Sequence, residues 1–127
     1  MDALVDDHGK LFEACGLWLA KHVPPLAEIL GATCEMYWAD PDHLQDHKGD
    51  HRRVNRQARM VFCYIAYRWS GQTPYDIAQY ICQCPWYPDK CTRIIERKLS
   101  ENEPNLREDL DLVMVRLVER MLMRRRW

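Results

Sequence analysis

Prolines constrain this chain more than any other feature of its sequence. Seven of them stand among its 127 residues, at positions 24, 25, 41, 74, 85, 88 and 104. A proline has no amide hydrogen to give a helix interior or a central strand. It does fit the first turn of a helix, where that hydrogen would have no partner. Most of these prolines open or close a stretch whose apolar residues recur at helical spacing. The expected fold is a series of helices joined at proline-marked corners.

A first helix is expected from a cap at Asp7 to about His22, with Leu11, Cys15, Trp18 and Leu19 on one stripe. Pro24 and Pro25 end it, and Pro25 starts a second helix reaching about Trp38. Leu26, Ile29, Leu30, Thr33 and Tyr37 form the apolar face of that helix, and Gly31 weakens it. Asp40 and Pro41 read as cap and first-turn proline of a short turn through Leu44. A polar stretch, DHKGDHRR, precedes a long amphipathic helix from about Val54 to Trp69. Its inward residues are Ala58, Val61, Phe62, Ile65, Ala66 and Trp69. Ser70-Gly71-Gln72 is a stop signal. Thr73, Pro74 and Asp76 then read as cap, first-turn proline and acidic third position of a short helix ending near Cys82. Pro88 opens another helix through about Leu99, with Ile94, Ile95 and Leu99 apolar. A last helix from about Asn105 carries Leu106, Leu110, Val113, Leu117 and Met121 on one stripe. No strand-like alternation emerges, so the fold class is all-α, a small helical bundle.

A chain that is 47% hydrophobic and 29% charged has the makeup of one globular domain rather than of a disordered segment. No apolar run reaches the roughly 20 residues of a membrane helix, because Lys10, Lys21 and Glu28 interrupt the candidates. The acidic start, MDALVDDHGK, is unlike a basic secretory signal, which makes a cytoplasmic protein the expectation. In that compartment the six cysteines are expected as thiols rather than cystines. Cys15, Cys34 and Cys63 lie in apolar helical contexts that suit small buried hydrophobes.

The net charge of −1 conceals a division. Residues 1–50 hold ten acids and three lysines, and residues 51–127 hold nine acids against fifteen lysines and arginines. Such a split points to an anionic partner for the second half. Two clusters carry that charge. One is His51-Arg52-Arg53-Val54-Asn55-Arg56 with Arg59 a turn later. Arginine at a helix start opposes the helix dipole, and its planar fork suits phosphate oxygens, so phosphate or minor-groove contact is the reading. The other lies on the helix opened by Pro88, where Lys90, Thr92, Arg93, Arg97 and Lys98 are the polar candidates. That helix and the preceding one, Pro74–Cys82, form a short pair after a longer helix. Helix-turn-helix spacing of this kind lets the second helix enter a major groove while the first braces it.

Metal and catalytic constellations are weaker. Cys82, Cys84 and Cys91 depart from the paired spacing of zinc knuckles. His43, His47 and His51 recur every four residues, but Gly49 argues for a loop there. Neither set is assigned a metal, and no cofactor is expected. No nucleophile-and-base arrangement stands out, Glu108 and Asp109 read as a solvated pair, and a non-enzymatic protein is expected. The cationic end, from Arg120 through Arg124, Arg125 and Arg126 to Trp127, reads as a helix terminus with favourable charge.

From about Leu26 to Met121 the chain resembles the C-terminal, origin-binding domain of the bacterial replication initiator DnaA. The segments that carry the likeness follow the family's order: TCEMYWADPDHL, the basic loop HRRVNRQAR, ARMVFCYIAYRWSGQTPYDIAQYI, IIERKL and EPNLREDLDLVMVRL. Within the third segment Arg59, Tyr64, Ile65, Ala66, Ser70, Thr73 and Ile77 occupy positions similar to the family's arginine, tyrosine, aliphatic and hydroxyl pattern. The family's Gly-Gly-Arg-Asp-His signature is replaced here by CQCPWYPDKCT, and Ala78 stands where the family has glycine. No Gly-rich phosphate loop is present.

The resemblance implies a Trp-repressor-like helix-turn-helix domain over residues 24–124, with an accessory helix over 1–23 and a basic tail over 125–127. It implies that Arg52, Arg53, Arg56 and Arg59 contact phosphates or the minor groove. It also turns Lys90, Thr92 and Arg93 toward bases or flanking phosphates, with Arg97 further along the helix. The implied partners are double-stranded DNA and a replication or transcription protein, and the implied place is the cytoplasmic nucleoid. The altered CQCPWYPDK turn supports a rival from another class, a protein-interaction module on the same scaffold.

Overall fold

Proline placement sets the helix boundaries. The computed structural model describes residues 2–46 and 53–125, and among them every regular element is helical. The helices are α1 (Asp2–Lys21), α2 (Leu26–Tyr37), α3 (Pro41–Leu44), α4 (Arg53–Trp69), α5 (Pro74–Tyr80), α6 (Tyr87–Ser100) and α7 (Pro104–Arg125). Asp40 caps α3 by accepting from the Asp42 amide at 2.9 Å, and Thr73 caps α5 by accepting from the Asp76 amide at 3.1 Å. Gly71 turns the chain out of α4 at φ +73°, the left-handed conformation that glycine adopts without penalty. The first helix departs from expectation. It starts at Asp2, not at an Asp7 cap.

Helix α4 is the axis of the molecule. A surface helix buries one stripe, whereas α4 buries Ala58, Val61, Phe62, Cys63, Tyr64, Ile65 and Ala66 in succession. It can do so because α2 and α6 both pack on it, with α3 and α5 closing the remaining sides. Each large apolar side chain enclosed in this way contributes about 1.5–3 kcal/mol by leaving water. Phe62 stacks on Tyr80 of α5 at 5.9 Å between ring centres, which holds the short helix to the axis. Helix α7 lies across α2 and α1 and buries Leu106, Leu110, Val113, Met114 and Leu117, along the stripe the sequence spacing gives.

The N-terminal helix is part of this core rather than an appendage. Cys15 and Leu19 are buried among the residues of α2, α4 and α7, and Phe12 meets Trp69 edge-on at 5.7 Å. Leu11, expected on the inward stripe, is 43% exposed. The rest of the stripe holds, with Cys15 and Leu19 buried and Trp18 half-buried, and Phe12 takes the inward place of Leu11. Gly16 allows close approach, since a Cβ there would lie 3.1 Å from the Trp69 ring.

A set of ion pairs clamps α2 to α7. Arg120 donates to Glu35 at 2.6 Å and to Glu28 at 3.2 Å, and Arg124 lies 3.7 Å from Glu28. Arg116 also pairs with Glu35. Arg120 is therefore a cross-helix clamp as well as terminal charge. It lies directly across Gly31, where a Cβ would fall 2.4 Å from the guanidinium. The glycine that weakens α2 as a helix is what lets the clamp close. The hydrogen bond from Arg116, joined by the charges of Arg116 and Arg120, holds the Glu35 carboxyl below its ordinary value of 4.5. A depressed folded-state pKa adds stability that is full above the unfolded value and is lost as pH falls through the folded one. The melting temperature is thus expected to fall as pH drops below about 4.5, and Glu35→Gln is expected to flatten part of that fall. A pH series of thermal melts on both proteins checks this, and identical slopes would show that the clamp contributes nothing.

Candidate nucleic-acid interface

The short helix pair is built by local rules. Helix α5 ends in a Schellman turn in which the Gln83 amide bonds the Ala78 carbonyl at 2.9 Å and the Cys82 amide bonds the Gln79 carbonyl at 3.1 Å. Cys82 occupies the left-handed position usually given to glycine, at φ 56°. The chain then passes through residues 83–86 before α6 begins at Tyr87. The helices are thus joined by residues 81–86, one residue more than the expected ends at Cys82 and Pro88 leave, because α5 stops at Tyr80 and α6 starts at Tyr87.

Helix α6 is strongly two-sided. Pro88, Cys91, Thr92 and Ile95 are buried, and Ile94 and Leu99 are half-buried. Asp89, Lys90, Arg93, Glu96 and Arg97 are exposed. Lys90, Arg93 and Arg97 fall at i, i+3 and i+7 along the helix, which aligns them on one outward stripe. Arg93 is 3.0 Å from Asp89 in an exposed pair, a contact that water and salt keep weak. The Lys90 ammonium sits 5.4 Å from the ring centre of exposed Trp86. At the far end of α6, Lys98 shares a groove with Arg53, Val54 and Gln57 of α4. The last turn of α6 thus lies beside the start of α4, where Arg53 and Arg56 are exposed. Asp109 lines the same groove and accepts from the Tyr37 hydroxyl at 2.9 Å. Read from sequence as solvated, this carboxylate instead ties α7 to α2. Burial, reinforced by Asp109, pushes the Tyr37 hydroxyl above its ordinary value.

Two of the residues assigned to phosphate or base contact do not reach the surface. Arg59 is 3% exposed. Its Nε donates to the Leu44 carbonyl at 3.2 Å and its Nη2 to the His43 carbonyl at 2.9 Å. Arg59 thereby satisfies carbonyls at the end of α3, which a four-residue helix leaves without helical partners. Thr92 is 7% exposed, and its hydroxyl donates back to the Pro88 carbonyl at 2.9 Å. A threonine that bonds its own preceding turn and faces α4 has nothing to offer a base edge. Arg52, His47 and His51 lie outside the described residues.

The cysteines separate into two groups. Cys82 and Cys84 are exposed on the turn, whereas Cys91 is buried, so the three do not face one another as a ligand set would. Among the described residues no three histidine, cysteine or acidic groups converge to hold a metal. Cys91 belongs to a core network instead. The neighbouring Cys63 thiol and Tyr87 hydroxyl hold the Cys91 thiol below its ordinary value, against the effect of burial. Burial pushes the Cys63 thiol well above its own. Cys63 and Cys91 are both buried in the core where α6 packs on α4. Nothing local marks them in sequence, because Cys63 and Cys91 are 28 positions apart.

No protein-family model and no curated protein matches this chain. The outward stripe of α6 and the exposed arginines at the start of α4 are the features that bear on function. Among the described residues no helix is long and apolar enough to cross a membrane.

Proposed function

We propose that this chain is a non-enzymatic module that binds double-stranded DNA, acting in replication or transcription control within the nucleoid. The observation that carries the reading is the outward stripe of Lys90, Arg93 and Arg97 on a helix whose other side is locked to α4. Rigid mounting keeps such side chains at fixed spacing along a groove, and a preceding short helix braces the mount. Arg53 and Arg56, exposed at the start of α4, suit the neighbouring phosphate backbone. The resemblance to the DnaA origin-binding domain supports the same role for both sets. Five such cations give a salt slope of about −4.5 in log–log form, or a loss of affinity of roughly 500-fold from 50 to 200 mM salt. Fluorescence anisotropy of a labelled random duplex at these two concentrations tests this. A slope near zero, or no binding at the lower salt, contradicts the reading.

A second reading, a protein-docking module, draws on Trp38. This side chain is 96% exposed at a left-handed helix end with φ 54°, where glycine would be less strained. Exposed Trp86 beside the altered turn favours the same reading. Absence of DNA binding at low salt is the outcome that would bring it forward.

A further inference from the structure

Between α1, α4, α6 and α7 lies a cavity of about 180 Å³, on another part of the molecule from the cationic stripe. Phe12, Leu99 and Leu110 make its apolar lining, and Leu110 is fully enclosed. Two guanidiniums, from Arg68 and Arg107, line it as well. Arg68 is held in place by the aromatic residues around it. Its carbon centre is 5.8 Å from the Phe12 ring, 5.4 Å from Tyr64 and 4.6 Å from Trp69, and its Nη1 donates to the Tyr64 hydroxyl at 2.6 Å.

Among the described residues neither Arg68 nor Arg107 lies within ion-pair distance of an acid. The other arginines brought to helix junctions here are bound to carboxylates or carbonyls. Asp111 is buried in the same wall. A pocket with an apolar side and two guanidinium forks, one of them on exposed Arg68, fits a ligand that is apolar at one end and carboxylate at the other. A dry cavity of about 150 Å³ holds benzene, so this one has room for a single ring.

We propose that this cavity binds small aromatic carboxylates of about the size of benzoate. The ring lies against Phe12, Leu99 and Leu110, and the carboxylate accepts from Arg68 and Arg107.

Fluorine NMR of para-fluorobenzoate with the intact protein tests this at constant ionic strength. The expected result is saturable binding with a dissociation constant of about 0.1–1 mM, displaced by benzoate, with cross-relaxation to Phe12 and Leu99 protons. Para-fluorobenzyl alcohol, which keeps the ring and lacks the charge, is expected to bind at least tenfold more weakly. Arg107→Gln is expected to weaken para-fluorobenzoate by about tenfold. Arg68→Gln serves as the second variant, each confirmed folded by circular dichroism. Absence of saturation by about 10 mM would overturn the proposal. So would equal binding of the alcohol, or unchanged affinity in whichever folded variant is measured.

Discussion

Replacing Arg59 with methionine is expected to destabilise the protein by about 3 kcal/mol while leaving the DNA surface intact. Methionine fills much of the volume and removes both donors. The His43 and Leu44 carbonyls, which now accept from Nη2 and Nε, then face α4 without those donors. Each such loss costs about 1–3 kcal/mol, offset in part by the relief of a buried cation. For a domain of this size the melting temperature is expected to drop by roughly 10 °C. Arg59→Lys is expected to fall between, since a single ammonium cannot span two carbonyls in the geometry of a fork. Thermal and urea unfolding of the three proteins check the order. If the methionine variant melts like the parent and loses DNA affinity instead, Arg59 points outward and its inward placement is wrong.

The second large effect is on binding, with stability spared. Arg93→Ala/Arg97→Ala is expected to weaken affinity for random duplex by about 100-fold at 50 mM salt, since each phosphate-contacting cation releases close to one counterion. The log–log salt slope is expected to shrink by about 1.8. Both side chains are exposed, and the one ion pair between them and an acid among the described residues is the weak contact of Arg93 with Asp89. The melting temperature should therefore move by no more than about 2 °C. Arg53→Ala/Arg56→Ala should reduce the slope by a similar amount. Equal affinity of parent and variants would remove α6 and the start of α4 from any DNA contact.

The contrast between Arg59 and Arg93 shows what the sequence could disclose. Helix number, the caps of α3 and α5 and the corners were readable, because Asp40, Thr73, the prolines and Gly71 act within a few residues of themselves. The apolar stripes of α4 and α7 were readable for the same reason, since periodicity is a local property. Arg59 was not, because its partners are carbonyls 15 and 16 positions earlier, and a buried arginine next to a basic loop looks like more of that loop. Thr92 sits one position from Arg93 and was assigned with it, although a rotation of about 100° per residue separates an inward residue from an outward one. Asp109 and Arg120 were read as surface charge, yet their partners Tyr37 and Glu28 lie 72 and 92 positions away. On α1 both Leu11 and Phe12 satisfy an apolar stripe, and only the approach of Trp69 to Gly16 and Phe12 decides between them. Local chemistry thus gave the elements, and long-range contacts decided which polar residues are structural.

The cationic face is tested most directly by NMR titration of the protein with a short duplex at low salt, following backbone amides and arginine side chains. The account predicts saturable shift changes at Lys90, Arg93, Arg97, Arg53 and Arg56, with the Arg59 side chain unmoved. Changes centred on Trp38, or no changes at any ratio of duplex to protein, would contradict it.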